Sequence, residues 1–160
     1  MKRIISTLFI LFAFVSFSQD NGWMGNQLQL EEDKIEQVID SLFTGMRNGD
    51  SSMVHSVFHD DPKMFSSFTN KQNEPALFEG SLNEFLTAIG TPHEQVWNEI
   101  VSNLIIHVDD NLASVWMDYS FYVDEDFSHC GVNSMHLTKT DNGWKILNII
   151  DTRRKENCTK

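Results

Sequence analysis

Positive charge is scarce in this sequence: 12 Lys and Arg stand against 23 Asp and Glu over 160 residues, a formal net charge of −11. So acidic a chain is a poor partner for nucleic acid or an anionic membrane surface, because both demand a basic footprint. Cysteine is limited to Cys130 and Cys158, and no Cys-x-x-Cys pair occurs. A Gly-rich phosphate loop and a Gly-x-Ser-x-Gly elbow are absent too, so nucleophilic catalysis has no motif here. No apolar run reaches the ~20 residues that a membrane-spanning helix needs. Aromatic residues, by contrast, are plentiful, with 12 Phe, 4 Trp and 2 Tyr in a chain that is 41% hydrophobic. That content excludes disorder and suffices for the core of one domain.

The first residues follow a plan of their own. Met1-Lys2-Arg3 is a short positive start, residues 4–15 are almost wholly apolar, and Ser16-Phe17-Ser18 places small residues before Gln19. This is the three-part pattern of a secretory signal peptide, expected over residues 1–18 with the cut after Ser18; an uncleaved anchor is the alternative. Removal of residues 1–18 leaves 142 residues and, with Lys2 and Arg3 gone, takes the net charge from −11 to −13. The expected location is secreted or periplasmic, with no membrane attachment after cleavage. In an oxidising compartment Cys130 and Cys158 can form a disulfide, closing a loop whose entropy contributes about 3–4 kcal/mol. Two separate thiols are the other reading.

Residues 19–27 are polar, contain two glycines, and read as a flexible lead-in. Ile35, Val38, Ile39, Leu42, Phe43 and Met46 then fall on one helical stripe, with Gly49 at its exit. A short second helix places Met53, Val54, Val57 and Phe58 inward and ends near Asp60-Asp61-Pro62. Residues 63–69 and 76–79 read as strands, and Ser81-Leu82-Asn83-Glu84 is a capping box that opens a third helix. Residues 96–108, 112–124, 129–139 and 144–153 read as a meander of long strands, and Asn142-Gly143 is a hairpin signal. Helices early and antiparallel strands late make the α+β class. The expected architecture is a curved antiparallel sheet packed on three N-terminal helices, over residues 28–154, followed by a tail at 155–160.

This order, with Gly49-Asp50, Val57-Phe58-His59 and the closing Asn142-Gly143-Trp144-Lys145-Ile146, resembles the nuclear transport factor 2-like superfamily. The closest likeness is to its secreted bacterial members of SnoaL-like and lumazine-binding type. The resemblance implies a cone-shaped α+β barrel, frequently a homodimer through the outer sheet face, with a small molecule bound inside the cone. His129-Cys130-Gly131 also resembles the His-x-Gly strand start of some SnoaL-like proteins, which places His129 near the cone mouth, where it could exchange a proton near neutral pH; a solvated turn histidine is the alternative. The superfamily's ketosteroid isomerase uses a Tyr on the first helix and a carboxylate on an early strand. Neither residue type stands at those places here, so that mechanism does not carry over.

Candidate chemistry therefore rests on polar residues inside the strands. Along residues 112–124 one face carries Ser114, Trp116, Asp118, Ser120 and Tyr122, and the other carries Met117, Tyr119 and Phe121. Asp is depleted from strands, so Asp118 either serves as a general base in the cone or bonds to a neighbour on the solvent face. With Lys139 opposite Trp144, and Val123 opposite Ser128, one polar face gathers Trp116, Asp118, Asn133, Asn148 and Thr152. The other gathers Tyr119, Ser134, His136, Asp151 and Arg153, and one bulge would exchange the two sets. Arg153 could hold a carboxylate or phosphate through its fork, or form a structural pair with Asp151. His55 and His59 share one face on a continuous helix, but spacing fixes no third metal ligand, so neither a metal nor a cofactor is expected.

Three functions are thus carried forward. The first is a pocket for a small, partly apolar molecule, lined by Trp116, Tyr119, Asn133, His136, Asp151 and Arg153. The second is an acid–base isomerase or dehydratase that uses Asp118 with His129 or His136. The third is a protein-interaction module on the outer sheet face.

Overall fold

The computed structural model describes residues 21–158, with side chains from residue 25 onward. The leader expected at residues 1–18, with its cut after Ser18, lies outside the described residues. The elements run α1 (Asn21–Asn48), α2 (Ser51–Val57), β1 (Phe58–Thr69), β2 (Pro75–Gly80), α3 (Leu82–Gly90), β3 (Trp97–Asp109), β4 (Leu112–Val123), β5 (Asp126–Thr140) and β6 (Gly143–Arg153). Six strands form one sheet, in the order β2-β1-β6-β5-β4-β3. The class is α+β, with three helices on one curved sheet.

The apolar stripe of α1 is buried through Ile35, Ile39, Leu42, Phe43 and Met46. The helix begins at Asn21, so positions 21–27 are helical and not the loose lead-in expected from their composition. Pairs one turn apart reinforce this start, Gln29 with Asp33 and Lys34 with Glu31, each at 2.9 Å. Gly49 ends α1 at φ +66°, and Asp50 caps α2 by accepting from the Met53 amide at 2.9 Å. Ser81 caps α3 in the same way, accepting from the Glu84 amide at 3.2 Å. Because α2 stops at Val57 and β1 starts at Phe58, His55 and His59 lie on different elements. Their i,i+4 spacing therefore does not bring them to one helix face. Among the described residues, no three His, Cys, Asp or Glu side chains gather as metal ligands.

The sheet is mixed, which corrects the expectation of a wholly antiparallel one: β1 pairs with β6 in parallel, Met64 opposite Ile149 and Ser66 opposite Asp151. The chain returns from β1 to β6 through the rest of the domain, so no hairpin imposes an antiparallel pairing there. The outer wall of the helix layer is also anchored to this sheet. Trp144 donates its indole N–H to Glu31 at 2.9 Å, and the Lys139 ammonium sits 2.8 Å from the same carboxylate. Bonds from Lys139 and Lys34 outweigh the cost of desolvation and hold the Glu31 carboxyl down at about 2.

Three irregularities decide which side chains face inward. Lys139 does stand opposite Trp144, but a bulge between His136 and Leu137 brings Asn133 opposite Asp151 instead of Ile150. A break after Phe121 pairs it with His129, so Asp118 faces Val132 and not Asn133. In β3 the register shifts between Ser102 and Ile105, where Asn103 adopts φ 52°. Each slip of one residue moves the following side chains to the other face. The core between the helices and the sheet is apolar, with Ile35, Leu42, Val115, Met117, Met135 and Ile146 fully buried. At the open end, Cys130 and Cys158 form a disulfide that ties the C-terminal segment to β5.

Candidate functional site

Between the helices and the inner sheet face lies a cavity of about 750 Å³. Its apolar wall comes from all layers: Leu42, Phe43 and Met46 of α1, Phe85 of α3, Phe78 of β2, Trp97 of β3 and Phe121 of β4. The strands supply its polar wall: Tyr119 and Asn133 continue the buried alternation of β4 and β5, Glu99 lies before the β3 bulge, and the irregularity in β6 turns Asp151 and Arg153 inward; Ser81 and Glu84, at the start of α3, also line the cavity. Polar side chains here thus stand at the ends of strands whose other ends fill the core.

Two hydrogen-bonded groups make up that wall. In the first, the Tyr119 hydroxyl donates to the Thr152 carbonyl at 2.8 Å and lies 3.2 Å from Asp151 Oδ2. Ser66 donates to the other oxygen of Asp151, and Arg153 Nε lies 3.5 Å from Oδ2. Burial, with the nearby Asp151 charge, pushes the Tyr119 phenol well above its ordinary range, so it remains a donor. In the second group, Asn133 Nδ2 donates to Glu99 Oε1 at 2.7 Å. Burial raises the Glu99 carboxyl to about 7, helped by the Asp151 charge and opposed by Asn133 and Arg153. Glu99 is therefore poised to change charge near neutral pH.

His129 lies beside these groups at the cavity wall, edge-on to Tyr119 with ring centroids 5.7 Å apart. Burial and the Arg153 charge lower its pKa to about 4, so the ring is neutral at neutral pH. Ser128 Oγ is 3.0 Å from its Nδ1.

Of the residues singled out by sequence, Tyr119, His129, Asn133, Asp151 and Arg153 meet at this cavity. Trp116, Asp118 and His136 do not. Trp116 is 52% exposed on the outer face, and His136 Nδ1 is paired there with Asn148 at 3.0 Å. Asp118 accepts from Asn103 Nδ2 at 2.8 Å, holding the β3 bulge from outside. The pairing of Asp118 with a histidine inside the cone is thereby corrected: the strand places Asp118 and Tyr119 on opposite faces, and Tyr119 is the inner one. Glu99 is the functional candidate that sequence reasoning passed over. Its signal was available, since Trp97, Glu99 and Val101 alternate in one strand and an acid between two large apolar residues is out of place there.

No curated protein matches the sequence. Solved structures do match in fold. A nuclear transport factor 2-like protein with a cystatin-like fold from Novosphingobium aromaticivorans superposes with a TM-score of 0.67 at 10% identity, covering 88% of this chain and 94% of its own. A nuclear transport factor 2-like protein of unknown function from Shewanella baltica gives 0.60 at 16%, covering 79% and 96%. A protein named "Putative Scytalone Dehydratase", also from Novosphingobium aromaticivorans, gives 0.65 at 16%, covering 82% and 89%. At these identities the likeness concerns the fold. Residues 30–150 match the model of the family described as "Putative lumazine-binding", a span that contains Glu99, Tyr119 and Asn133 and stops just before Asp151. The chain belongs to that family, on a nuclear transport factor 2-like fold.

Proposed function

We propose that the protein binds a small, partly apolar molecule inside the cone. The cavity is the observation that carries this reading. Its volume of about 750 Å³ falls within the few hundred to one thousand Å³ typical of small-molecule sites. Apolar walls with a few convergent polar groups are the usual make-up of such a site, and the family description supports the same reading. Export and a homodimer belong to this proposal as well. The Cys130–Cys158 disulfide supports an oxidising compartment. Ile105, Trp116 and Ile150, exposed on the outer face, support association through that face.

Native mass spectrometry of the protein purified from its own host tests the binding. The expected spectrum shows a retained small-molecule adduct that disappears in Ile149→Trp, which fills the cavity, and persists in Trp116→Ala on the outer face. An adduct that ignores Ile149→Trp would place the site elsewhere.

A second reading, acid–base turnover of the bound molecule, is favoured by one observation. Glu99 holds a proton near neutral pH, faces the cavity, and has the Asp151 carboxylate near enough to raise its pKa. Hydrogen–deuterium exchange at a carbon of the retained molecule, lost in Glu99→Gln, is the expected sign of turnover. Equal exchange in both proteins would dismiss it.

A further inference from the structure

The charges of the cavity do not balance. Three acidic side chains line it, the solvent-exposed Glu84 and the inward Glu99 and Asp151, against one guanidinium, Arg153, so that Glu99, once ionised, has no cation of its own there. Arg153 already lies against Asp151, with Nε 3.5 Å from Oδ2, and its side chain is half exposed toward the mouth. Asp151 also receives Ser66 and lies within reach of the Tyr119 hydroxyl. Glu99, by contrast, has Asn133 as its hydrogen-bond partner and no ion pair among the described residues. A carboxylate desolvated without a cation is costly, and a ligand that brought one would offset the cost.

The walls around it have the complementary chemistry. Phe43, Phe78, Phe85, Trp97, Tyr119 and Phe121 come from five different elements and turn toward the same space. Aromatic faces carry negative quadrupole charge, and a cation over them gains about 0.5–2 kcal/mol as it is desolvated. An anion there would meet the carboxylates. The one histidine at the cavity, His129, is neutral and adds no positive charge.

We infer that the ligand of this cavity is a partly apolar organic cation, its ammonium group set against Glu99 and its carbon skeleton among the aromatic rings. This rests on the proposed binding role and names the ligand class for that same site. The groups that face Glu99 sharpen the consequence. Asp151, Asn133 and Tyr119 are a carboxylate, an amide and a neutral phenol, and Arg153 is held by Asp151. An ammonium ion entering here stabilises the ionised form of Glu99, so binding expels the proton that the empty site keeps. Affinity for the cation should then fall on acidification below neutral pH, where Glu99 resists ionisation.

Three probes of one skeleton test this: 4-phenylbutylamine, 4-phenylbutanol and 4-phenylbutyrate, titrated calorimetrically at pH 8 and pH 5.5 into the full disulfide-bonded protein. The amine should bind at least tenfold more tightly than the alcohol at pH 8, and the butyrate should bind worst. At pH 5.5 the amine's advantage should shrink severalfold. Glu99→Gln should remove the amine's advantage over the alcohol, with a cooperative urea transition showing that the variant is folded; Asp118→Asn on the outer face should leave all three affinities unchanged. If the alcohol or the butyrate binds as well as the amine, the cation inference is overturned while the binding role stands. If none of the three binds and no adduct is retained, the binding role falls with it.

Discussion

The hydroxyl of Tyr119 reaches the backbone carbonyl of Thr152, 2.8 Å away, across the bare backbone of Gly131. Gly131 stands opposite Tyr119 in the β4–β5 ladder. A Cβ placed on it would come 1.7 Å from the Thr152 oxygen and 2.7 Å from Tyr119 Cε1. No side chain fits, because the first of these obstacles is main chain. The bond that positions Tyr119 beside Asp151 thus depends on the absence of a side chain one strand away.

Gly131→Ala should therefore cost more than the loss of the hydrogen bond itself. Tyr119→Phe deletes the bond and should lower unfolding free energy by about 1 kcal/mol. Gly131→Ala must push β6 away from β5 and should lower it by roughly 3 kcal/mol or more. Urea denaturation of both variants measures the two values. Equal costs would mean that the strands part freely and that the glycine is not required.

The Glu31 clamp predicts an acid-sensitive joint between α1 and the β5–β6 hairpin. Its carboxyl lies at about 2 in the folded protein against an ordinary 4.5. A depressed carboxyl stabilises the fold above its unfolded value and loses that contribution as pH falls from 4.5 toward 2. Glu31→Gln should lower stability by roughly 1–2 kcal/mol at pH 7 and flatten the acid limb of the urea-midpoint profile. A variant that keeps the wild-type acid limb would show that other carboxylates produce it.

Much of this architecture was written in local patterns, and the site only in part: Tyr119, His129, Asn133, Asp151 and Arg153 stood out in the sequence, Glu99 did not. The α1 stripe, the Ser81 cap and the Asn142-Gly143 turn each depend on residues within a turn or two of one another, and each appears where its residues stand. The inner face of the sheet depends on bulges. Asn103, with its positive φ, and the break at His136 exchange inside for outside, and nothing in the alternation of polar and apolar residues marks them. Asp118 attracted notice as an acid in mid-strand, yet its strand turns it outward to hold the Asn103 bulge. Glu99 was the same kind of anomaly one strand earlier, flanked by Trp97 and Val101. The parallel β1–β6 pairing was equally hidden, since strands so far apart in sequence share no turn.

Reduction of the Cys130–Cys158 disulfide should destabilise the domain without removing the cavity. The bond closes a separation of 28 residues, and cross-linking a loop of that size contributes about 3–4 kcal/mol through the unfolded chain. Its cysteines lie at the end of the site that carries His129, beside the main-chain pair of Cys130 and Arg154, each amide 2.9 Å from the other's carbonyl. The Cys130→Ser, Cys158→Ser double variant should melt lower by an amount matching that loss, and should still retain its small-molecule adduct. Loss of the adduct in a folded variant would show that the cross-link shapes the site.

Glu99 and His129 predict opposing pH effects that partly conceal each other. Glu99 is raised from 4.5 to about 7, so the folded protein keeps a proton that the unfolded chain releases; its contribution is full below 4.5 and is lost as pH rises through 7. His129 is lowered from 6.5 to about 4, so the unfolded chain takes the proton first, and its contribution is lost as pH falls from 6.5 through 4. Between about pH 4.5 and 6.5 the two slopes have opposite signs, each effect being on the order of 1–2 kcal/mol across its window. The wild-type stability profile should be shallow there. Glu99→Gln should expose a profile that rises with pH, because the histidine slope is left unopposed. His129→Asn should expose one that falls. Urea midpoints at half-unit pH steps read both slopes, and single-variant profiles parallel to the wild type would show that neither group titrates as its surroundings in the cavity dictate.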